Sequence, residues 1–421
     1  MKSPLATGWR RVLPGLGLIV LSALPASAQT APSPQTVTTT TDGAKVSTAL
    51  TPVKIGVKMT PAVQVRVNLL NTQGGGGPIV RRPNRDDALA YLAAAAQGQN
   101  PKVVAHALKG MARSWSLKGE AGARVNKDFI KVVRARLQSG PKRVRVAAFE
   151  PARLLLAQRP VHKGVLTDVM ASLKASNSTI RFFAVRSLFN VGDFQIPKAR
   201  KGALKGKIIQ AVLPLLDDPK ASVVAATADV LARVGFDAMP HRKKIIGKAK
   251  ALVNHEKAKV RGTALHLWSV LAKKKARGPL VDALRRALAD GHGYVRGTAA
   301  EVLANLGKLA VIHDLVTLLD DAGKTTLKLK KGQKYGPRLV LGTRSGKQVR
   351  VVAMQGIATL TKGKRASLPL THPGALKGPK LNKALQRARV FYEAEKKRLP
   401  RLTPLATATV EKTGSATPAK Q

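Results

Sequence analysis

Lysine and arginine are the residues of this chain whose number and spacing could do chemistry, and that chemistry is the binding of anions. The chain carries 74 Lys and Arg against 22 Asp and Glu, a formal net charge of +52. Because solubility needs far less charge than this, the sequence predicts an anionic partner. Three clusters of basic residues precede predicted helices and are expected to contact that partner: Lys198, Arg200 and Lys201; Lys243 and Lys244; and Lys273, Lys274 and Lys275.

A fourth set of basic residues lies in a stretch that lacks carboxylates. No Asp or Glu occurs between Asp321 and Glu393, so local ion pairs cannot neutralise this stretch. The residues expected to bind a partner here are Lys328, Lys330, Lys331, Lys334, Arg338, Arg344, Lys347 and Arg350. The alternative is that all four sets belong to ordinary solvated loops, as runs of charge often do.

Residues for catalysis or metal binding do not occur in a recognisable pattern. The chain has no Cys, which excludes disulfides, thiol nucleophiles and thiolate metal sites. None of its 8 His residues forms a close pair that also has a carboxylate at metal-ligand spacing. Gly74 to Gly77 are not followed by the Lys-Ser/Thr of a phosphate-binding loop. The sequence therefore predicts a protein that is not an enzyme and has no cofactor.

The elements that must position the basic residues are predicted to be helices. Beyond Arg85 one pattern recurs seven times: an apolar anchor residue, a small residue four positions later and usually an apolar residue at eight. These spacings place all three positions on one helical face. A second amphipathic segment precedes each anchor, so each unit is predicted to be two antiparallel helices that stack on the next unit. The anchors are Val103, Val144, Ile180, Val223, Val260, Val295 and Val349.

Two of these units, residues 211–235 and 281–307, closely resemble HEAT repeats, and the resemblance extends over 85–361. It implies an all-α, right-handed α-solenoid of about seven helical pairs with a curved binding surface. It also implies that an Asp in the turn of a repeat pairs with an Arg at the start of the second helix. Asp290 and Arg296 reproduce that spacing. The other arginines at this position have no carboxylate at that spacing and are expected to pair elsewhere or to bind an external anion: Arg145, Arg181, Arg261 and Arg350.

Outside the repeats, the sequence predicts short elements and flexible segments. Alternating apolar residues predict a short β-hairpin and a glycine-rich hinge over 49–80, and a basic β-ribbon inserted in the last repeat over 322–347. Residues 29–48 are predicted to be a disordered Thr/Pro-rich leader. Residues 362–400 are expected to form a basic extension with one helix, followed by a disordered tail over 401–421.

The N-terminal segment 1–28 has the three parts of a cleaved export signal. Basic residues precede a short apolar run, which ends in the small-x-small sequence Ala26-Ser27-Ala28. Cleavage is predicted after Ala28, and Arg10-Arg11 leaves open either the general or the twin-arginine export route. No later stretch has the roughly 20 apolar residues of a membrane span. The mature chain is therefore expected to be periplasmic or secreted, as a HEAT-repeat protein of the secreted bacterial type.

Together these features predict an exported, non-enzymatic scaffold that binds through a basic surface. The expected partner is an acidic protein or an anionic polymer of the cell envelope, such as a polysaccharide, lipopolysaccharide or nucleic acid, and peripheral contact with an anionic membrane surface is also open. One alternative is an adaptor that binds a partner protein in the solenoid groove. The other is a nucleic-acid-binding protein, of which a HEAT-like DNA glycosylase is the least favoured form.

Overall fold

The computed structural model describes a helical protein. The residues it describes are 50–57, 59–76, 79, 84–114, 120–158, 161–189, 191, 202–234, 241–272, 277–323, 348–361 and 378–405, of which 120–125, 202–203 and 205 are described by their backbone alone. Within these ranges the regular structure consists of α-helices and short 3-10 turns, and no β-strand occurs. The predicted export signal, leader and β-ribbon lie outside the described residues.

The described part of the chain contains sixteen α-helices. In chain order they are α1 (Pro61–Thr72), α2 (Arg85–Gln97), α3 (Pro101–Ser114), α4 (Glu120–Gln138), α5 (Lys142–Leu156), α6 (Lys163–Ala171), α7 (Ser178–Leu188), α8 (Gly202–Val212), α9 (Ala221–Val234), α10 (Arg242–Leu252), α11 (Ala258–Leu271), α12 (Gly278–Ala287), α13 (Gly293–Asn305), α14 (Ile312–Val316), α15 (Val349–Leu360) and α16 (Gly378–Glu395). Helices α6 and α8 continue directly into short 3-10 turns, Ser172–Lys174 and Leu213–Asp217.

Helices α2 to α15 form seven successive pairs, repeats 1 to 7, each with a first and a second helix. The two helices of each pair contact each other, and each second helix from α3 to α13 also packs against the second helix of the next repeat. This packing confirms the all-α solenoid, because each repeat buries its faces only against its neighbours. The core is continuous through the array for the same reason.

The repeated apolar pattern forms the contact between the helices. All seven anchor residues are buried, and so are the small residues four positions later. Small residues also let neighbouring second helices approach closely. A Cβ atom added at Gly262 of α11 would overlap the ring of Tyr294 of α13, so only glycine fits at this crossing.

The hairpin predicted within 49–80 is wrong, because the second of its two strands is helix α1. Thr60 is the N-cap of α1 and accepts a hydrogen bond from the backbone N–H of Val63, and Pro61 occupies the first helical position. Both are helix-start signals, and together with burial of Val63 against the array they override the strand-like alternation of valines. Residues 50–57 have no regular structure and are held by the buried guanidinium of Arg136, which donates to the carbonyls of Thr51, Ala95 and Ala96.

Helix α16 covers the C-terminal end of the array. It packs on α14 and α15 through four buried residues, Leu381, Ala384, Leu385 and Ala388. Polar contacts add to this seam: the hydroxyl of Tyr392 lies 3.1 Å from Nδ1 of His313. A terminal repeat leaves one apolar face uncovered, and α16 supplies its cover while its other face is basic and exposed.

Candidate binding surfaces

Only a few of the basic residues singled out from the sequence lie in the described part of the chain. Lys243 and Lys244 are exposed in the first turn of α10, where they add positive charge to a helix N-terminus. Arg350 is half-buried at the start of α15, and its Nε donates to Oε1 of Gln348 at 2.6 Å. The other basic candidates fall outside the described residues: Lys198, Arg200, Lys201, Lys273, Lys274, Lys275, Lys328, Lys330, Lys331, Lys334, Arg338, Arg344 and Lys347.

Ion pairs connect successive repeats along the turns before the second helices. Arg181 in repeat 3 contacts both carboxylate oxygens of Asp218, the turn residue of repeat 4, at 2.6 and 3.1 Å. Arg261 in repeat 5 binds Asp290 of repeat 6 in the same way, at 2.7 Å to each oxygen. We call this series the ladder. Its bidentate geometry is the strongest form of an Arg–carboxylate contact.

Asp290 and Arg296 both belong to the ladder, but the prediction that they pair with each other is wrong. The guanidinium of Arg296 binds the carboxylate of Asp321 in repeat 7, at 2.5 and 2.9 Å, and reaches only the backbone carbonyl of Asp290, at 2.7 Å. Arg181 and Arg261 are therefore paired rather than free for an external anion. The pairing crosses to the next repeat, which the within-repeat spacing of six residues does not show.

The ladder shifts the pKa values of its members. Hydrogen bonds from Arg296 hold the pKa of the Asp321 carboxyl below its usual value, against the effect of partial burial. At Asp290 burial raises the pKa, but the hydrogen bonds and charge of Arg261, with the N–H of His292, lower it more. The ionised ladder is therefore the stable form at neutral pH.

The first helices use carboxylates in the same way. Asp168 of α6 accepts from Nε of Arg134 of α4 at 2.6 Å, and Asp314 of α14 accepts from Nε of Arg285 of α12 at 2.9 Å. Many of the few acidic residues thus join one repeat to the next. Many basic residues instead remain exposed, among them Lys102, Lys109, Lys127, Arg143, Lys163, Lys174, Lys207, Lys220, Lys243, Lys244 and Lys308.

Repeats 4 and 5 lack the ladder. Val224 stands directly after its anchor, where repeats 2, 3, 5, 6 and 7 have an arginine, and His255 stands where the turn of repeat 6 has Asp290. Val224 is buried and packs with Ala225 and Val260 in a small apolar cluster of its own, against Leu252. Both ladder partners are therefore replaced together, and apolar burial takes over the contact between these repeats.

A group of charged side chains surrounds Phe182 on the second helices of repeats 3 to 5, and we call it the Phe182 cluster. Cζ of Arg186 lies 5.7 Å and Nζ of Lys259 lies 5.8 Å from the centre of the Phe182 ring, both within cation–π range. Asp229 of α9 completes the cluster. Phe182 and Arg186 stand two and six positions after their anchor, roughly half a turn around the helix from the face that packs on the first helix.

Asp229 is a buried carboxylate without a direct partner. It is 8% exposed, and no hydrogen bond or salt bridge joins it to another described residue. Burial raises its pKa well above the usual Asp value, although the charges of Lys259 and Arg186 oppose this. Burial likewise lowers the pKa of Lys259. Arg186 also lies near the charge of Arg153, which adds to burial in lowering its pKa.

Sequence reasoning missed the Phe182 cluster because its members come from three repeats and match no motif. One signal was available. The position six residues after the anchor lies on the side of the second helix that faces away from the first helix. Three of the seven repeats have an acidic residue there in a strongly basic chain: Glu150, Asp229 and Glu301. Trp268, in contrast, is a core residue, as its place in the repeat pattern predicts, and Nζ of Lys250 lies 5.3 Å from the centre of its ring.

Neither a metal site nor a membrane span occurs among the described residues. There, no group of three or more His, Asp or Glu is placed to hold a metal ion. None of the sixteen helices is long and apolar enough to cross a membrane.

Comparison with known proteins gives weak structural likenesses. No family model matches the chain, and no curated protein matches it. Among solved structures it is similar to an engineered protein from a structural genomics consortium, with 15% identity, a TM-score of 0.33, and coverage of 79% of this chain and 99% of that one. It is also similar to a structure from work on tubulin recruitment and assembly by microtubule polymerases with TOG domain arrays, at 9% identity, a TM-score of 0.29, and 80% and 98% coverage. The fold assignment rests on the helix contacts described above.

Proposed function

We propose that this helical-repeat protein is a non-enzymatic binding protein whose basic surface holds an anionic polymer. The observation that carries the proposal is the unequal use of charge. Several carboxylates of the described repeats join neighbouring repeats, while many lysines and arginines remain exposed, as Lys243 and Lys244 do. The formal net charge of the whole chain is +52, so its acidic residues can compensate only a minority of its cations.

A stacked helical array suits this role. Because successive second helices pack on one another, exposed basic residues are held at regular intervals along a firm support. A polyanion bound to such a row releases its condensed counterions, and this release drives binding at low salt. The N-terminal export signal predicted from the sequence places the partner in the cell envelope, where acidic polysaccharide and lipopolysaccharide are the abundant polyanions.

The test is a set of binding titrations of the full-length chain at several salt concentrations. The partners are an acidic polysaccharide, lipopolysaccharide, duplex DNA and vesicles with anionic lipid. One variant changes seven basic residues of the predicted insertion to Gln: Lys328, Lys330, Lys331, Lys334, Arg338, Arg344 and Lys347. The control variant changes seven exposed basic residues of the helices to Gln, so that both variants have the same net charge: Lys102, Lys109, Lys127, Lys163, Lys174, Lys220 and Lys308.

We expect submicromolar binding to at least one polymer at low salt, with a steep negative dependence on salt concentration. If the insertion holds the polymer, its variant loses more of the salt dependence than the equally charged control. An equal loss in both variants places binding on the surface as a whole. Absence of binding to all four partners at physiological salt would contradict the proposal and favour a protein partner.

A further inference from the structure

We propose that the Phe182 cluster is a binding site for one oxyanion, a phosphate or carboxylate group, held between Arg186 and Lys259. This inference goes beyond the proposed function, because a single oxyanion can bind here whether or not the basic surface holds a polymer. The site lies at the junction of repeats 3, 4 and 5, on the side of the second helices that does not pack on the first helices.

The first argument is that the cluster has hydrogen-bond donors that no other described residue uses. The side chains of Arg186 and Lys259 make no hydrogen bond or salt bridge with another described residue, and both are half-buried rather than fully solvated. Their contacts with the Phe182 ring engage their charge but not their N–H donors. Partly desolvated donors without acceptors carry a free-energy cost, and an oxyanion would remove it.

The second argument comes from the ladder in the same array. Where an arginine and an aspartate serve to join repeats, they touch: Arg181 binds both oxygens of Asp218, at 2.6 and 3.1 Å. Asp229 and Arg186 also come from repeats 3 and 4, yet no salt bridge joins them. Because this carboxylate does not contact the two cations, it does not occupy their donors, which stay available to a third group.

The third argument concerns the sign of the charge. Arg186 and Lys259 face the single carboxylate of Asp229, and Arg153 adds a third positive charge near Arg186, so the cluster is positive and disfavours cations. Arg186 supplies a planar set of donors and Lys259 a compact one, and both match the oxygens of phosphate or carboxylate. Asp229 then limits affinity, because its negative charge in the ionised form repels the bound anion.

The experiment is calorimetric titration of the full-length chain with sodium phosphate and, separately, sodium acetate, in chloride buffer at constant ionic strength. The variants are Arg186→Gln, Lys259→Gln and Asp229→Asn. The control is Lys109→Gln, which removes the same charge at the equivalent position of repeat 1, six residues after its anchor. Circular dichroism of each variant verifies that it is folded.

We expect saturable binding to a single site, weakened about tenfold or more in Arg186→Gln and Lys259→Gln and unchanged in Lys109→Gln. Asp229→Asn should bind several-fold more tightly, and this variant tests the site even if loss of a cation unfolds the protein. Binding of phosphate alone, or of acetate alone, supports the site and identifies the group it takes.

Three results would overturn the inference: no saturable binding of either anion, equal loss in Lys109→Gln, or wild-type binding in both cation variants. The outcome is independent of polymer binding. If polymer titrations succeed while phosphate and acetate fail, the inference on the Phe182 cluster is wrong and the proposed function stands.

Discussion

The junction between repeats 4 and 5 differs from the junction directly before it and from the two junctions after it. Between repeats 3 and 4, 5 and 6, and 6 and 7, an arginine on one second helix binds the aspartate in the next turn through both oxygens. Between repeats 4 and 5 the two positions hold Val224 and His255, and buried apolar contacts replace the ion pair. At this same junction Asp229 and Lys259 lie near each other without a salt bridge.

The difference separates two uses of the same residue types. In the ladder, direct contact compensates the desolvation of both charges, so the pair acts as a structural link. In the Phe182 cluster the charges are desolvated without direct contact, and the compensation must come from a further group or from a change of protonation. Equivalent substitutions should therefore have opposite effects in the two regions.

The largest effect is expected when a ladder arginine is placed where the ladder is missing. Val224→Arg puts a charge at a position that is 3% exposed, and it should lower the free energy of unfolding by about 3 kcal/mol. Adding His255→Asp supplies the partner of the other junctions and should recover about 1 to 2 kcal/mol. Urea unfolding of both single variants and the double variant gives the coupling energy, and a coupling near zero would show that this junction cannot form a ladder contact.

Removal of an existing ladder contact should have the next largest effect. Asp290→Asn leaves Arg261 without its carboxylate, and because these side chains are only 13% and 20% exposed the loss should be about 2 kcal/mol. The control is Glu256→Gln, whose pair with Lys257 is 74% and 61% exposed and should contribute less than about 0.5 kcal/mol. Equal effects in urea unfolding would mean that the ladder is no stronger than a surface pair.

The sequence predicts the repeats well because one periodic pattern encodes them. The seven anchors and their small partners report directly on burial, and the structure confirms the helical pairs that follow from them. Helix α1 was missed because valines at alternate positions resemble a strand. The Thr60 cap and Pro61, two short-range signals, favour the helix that the structure has. The alternation of side chains along a segment does not show which capping or tertiary contacts determine its conformation.

Charge contacts were less predictable, because they join residues of different repeats. The ladder partner of Arg261 is 29 residues away rather than six, and at the junction of repeats 4 and 5 both ladder positions are replaced, by Val224 and His255. Aligning each arginine with the turn of the following repeat would have found it. The Phe182 cluster had only the acidic residue Asp229 on an outward position as a signal, and burial of that residue cannot be seen from the sequence.

A smaller effect of opposite sign is expected at Asp229. Burial raises the pKa of this carboxyl, so the folded chain binds its proton more tightly than the unfolded chain does. Stability from this group is therefore lost as the pH rises from the usual Asp range near 4 toward the raised value. Near pH 7, Asp229→Asn removes the buried charge and should raise the free energy of unfolding by about 1 kcal/mol, even though the charges of Lys259 and Arg186 face this position. A loss of stability comparable to that of Asp290→Asn would show that Asp229 acts as a structural partner.

The smallest effect is expected on the free energy of unfolding at acid pH. Hydrogen bonds from Arg296 lower the pKa of Asp321, so its contribution is complete above the unfolded value of about 3.9 and is lost as the pH falls through the lower folded value. Asp321→Asn should therefore flatten the fall of the free energy of unfolding below about pH 4, by less than about 1 kcal/mol, while leaving its slope near pH 7 unchanged. The measurement is urea unfolding at steps from pH 2.5 to 7, with Asp229→Asn measured alongside. Asp321→Asn should change the pH dependence of the free energy of unfolding below about pH 4, and Asp229→Asn should change it between about pH 4 and 7. If both variants change the pH dependence over the same range, the two carboxylates titrate alike despite their different partners. The distinction between the ladder and the Phe182 cluster would then be wrong.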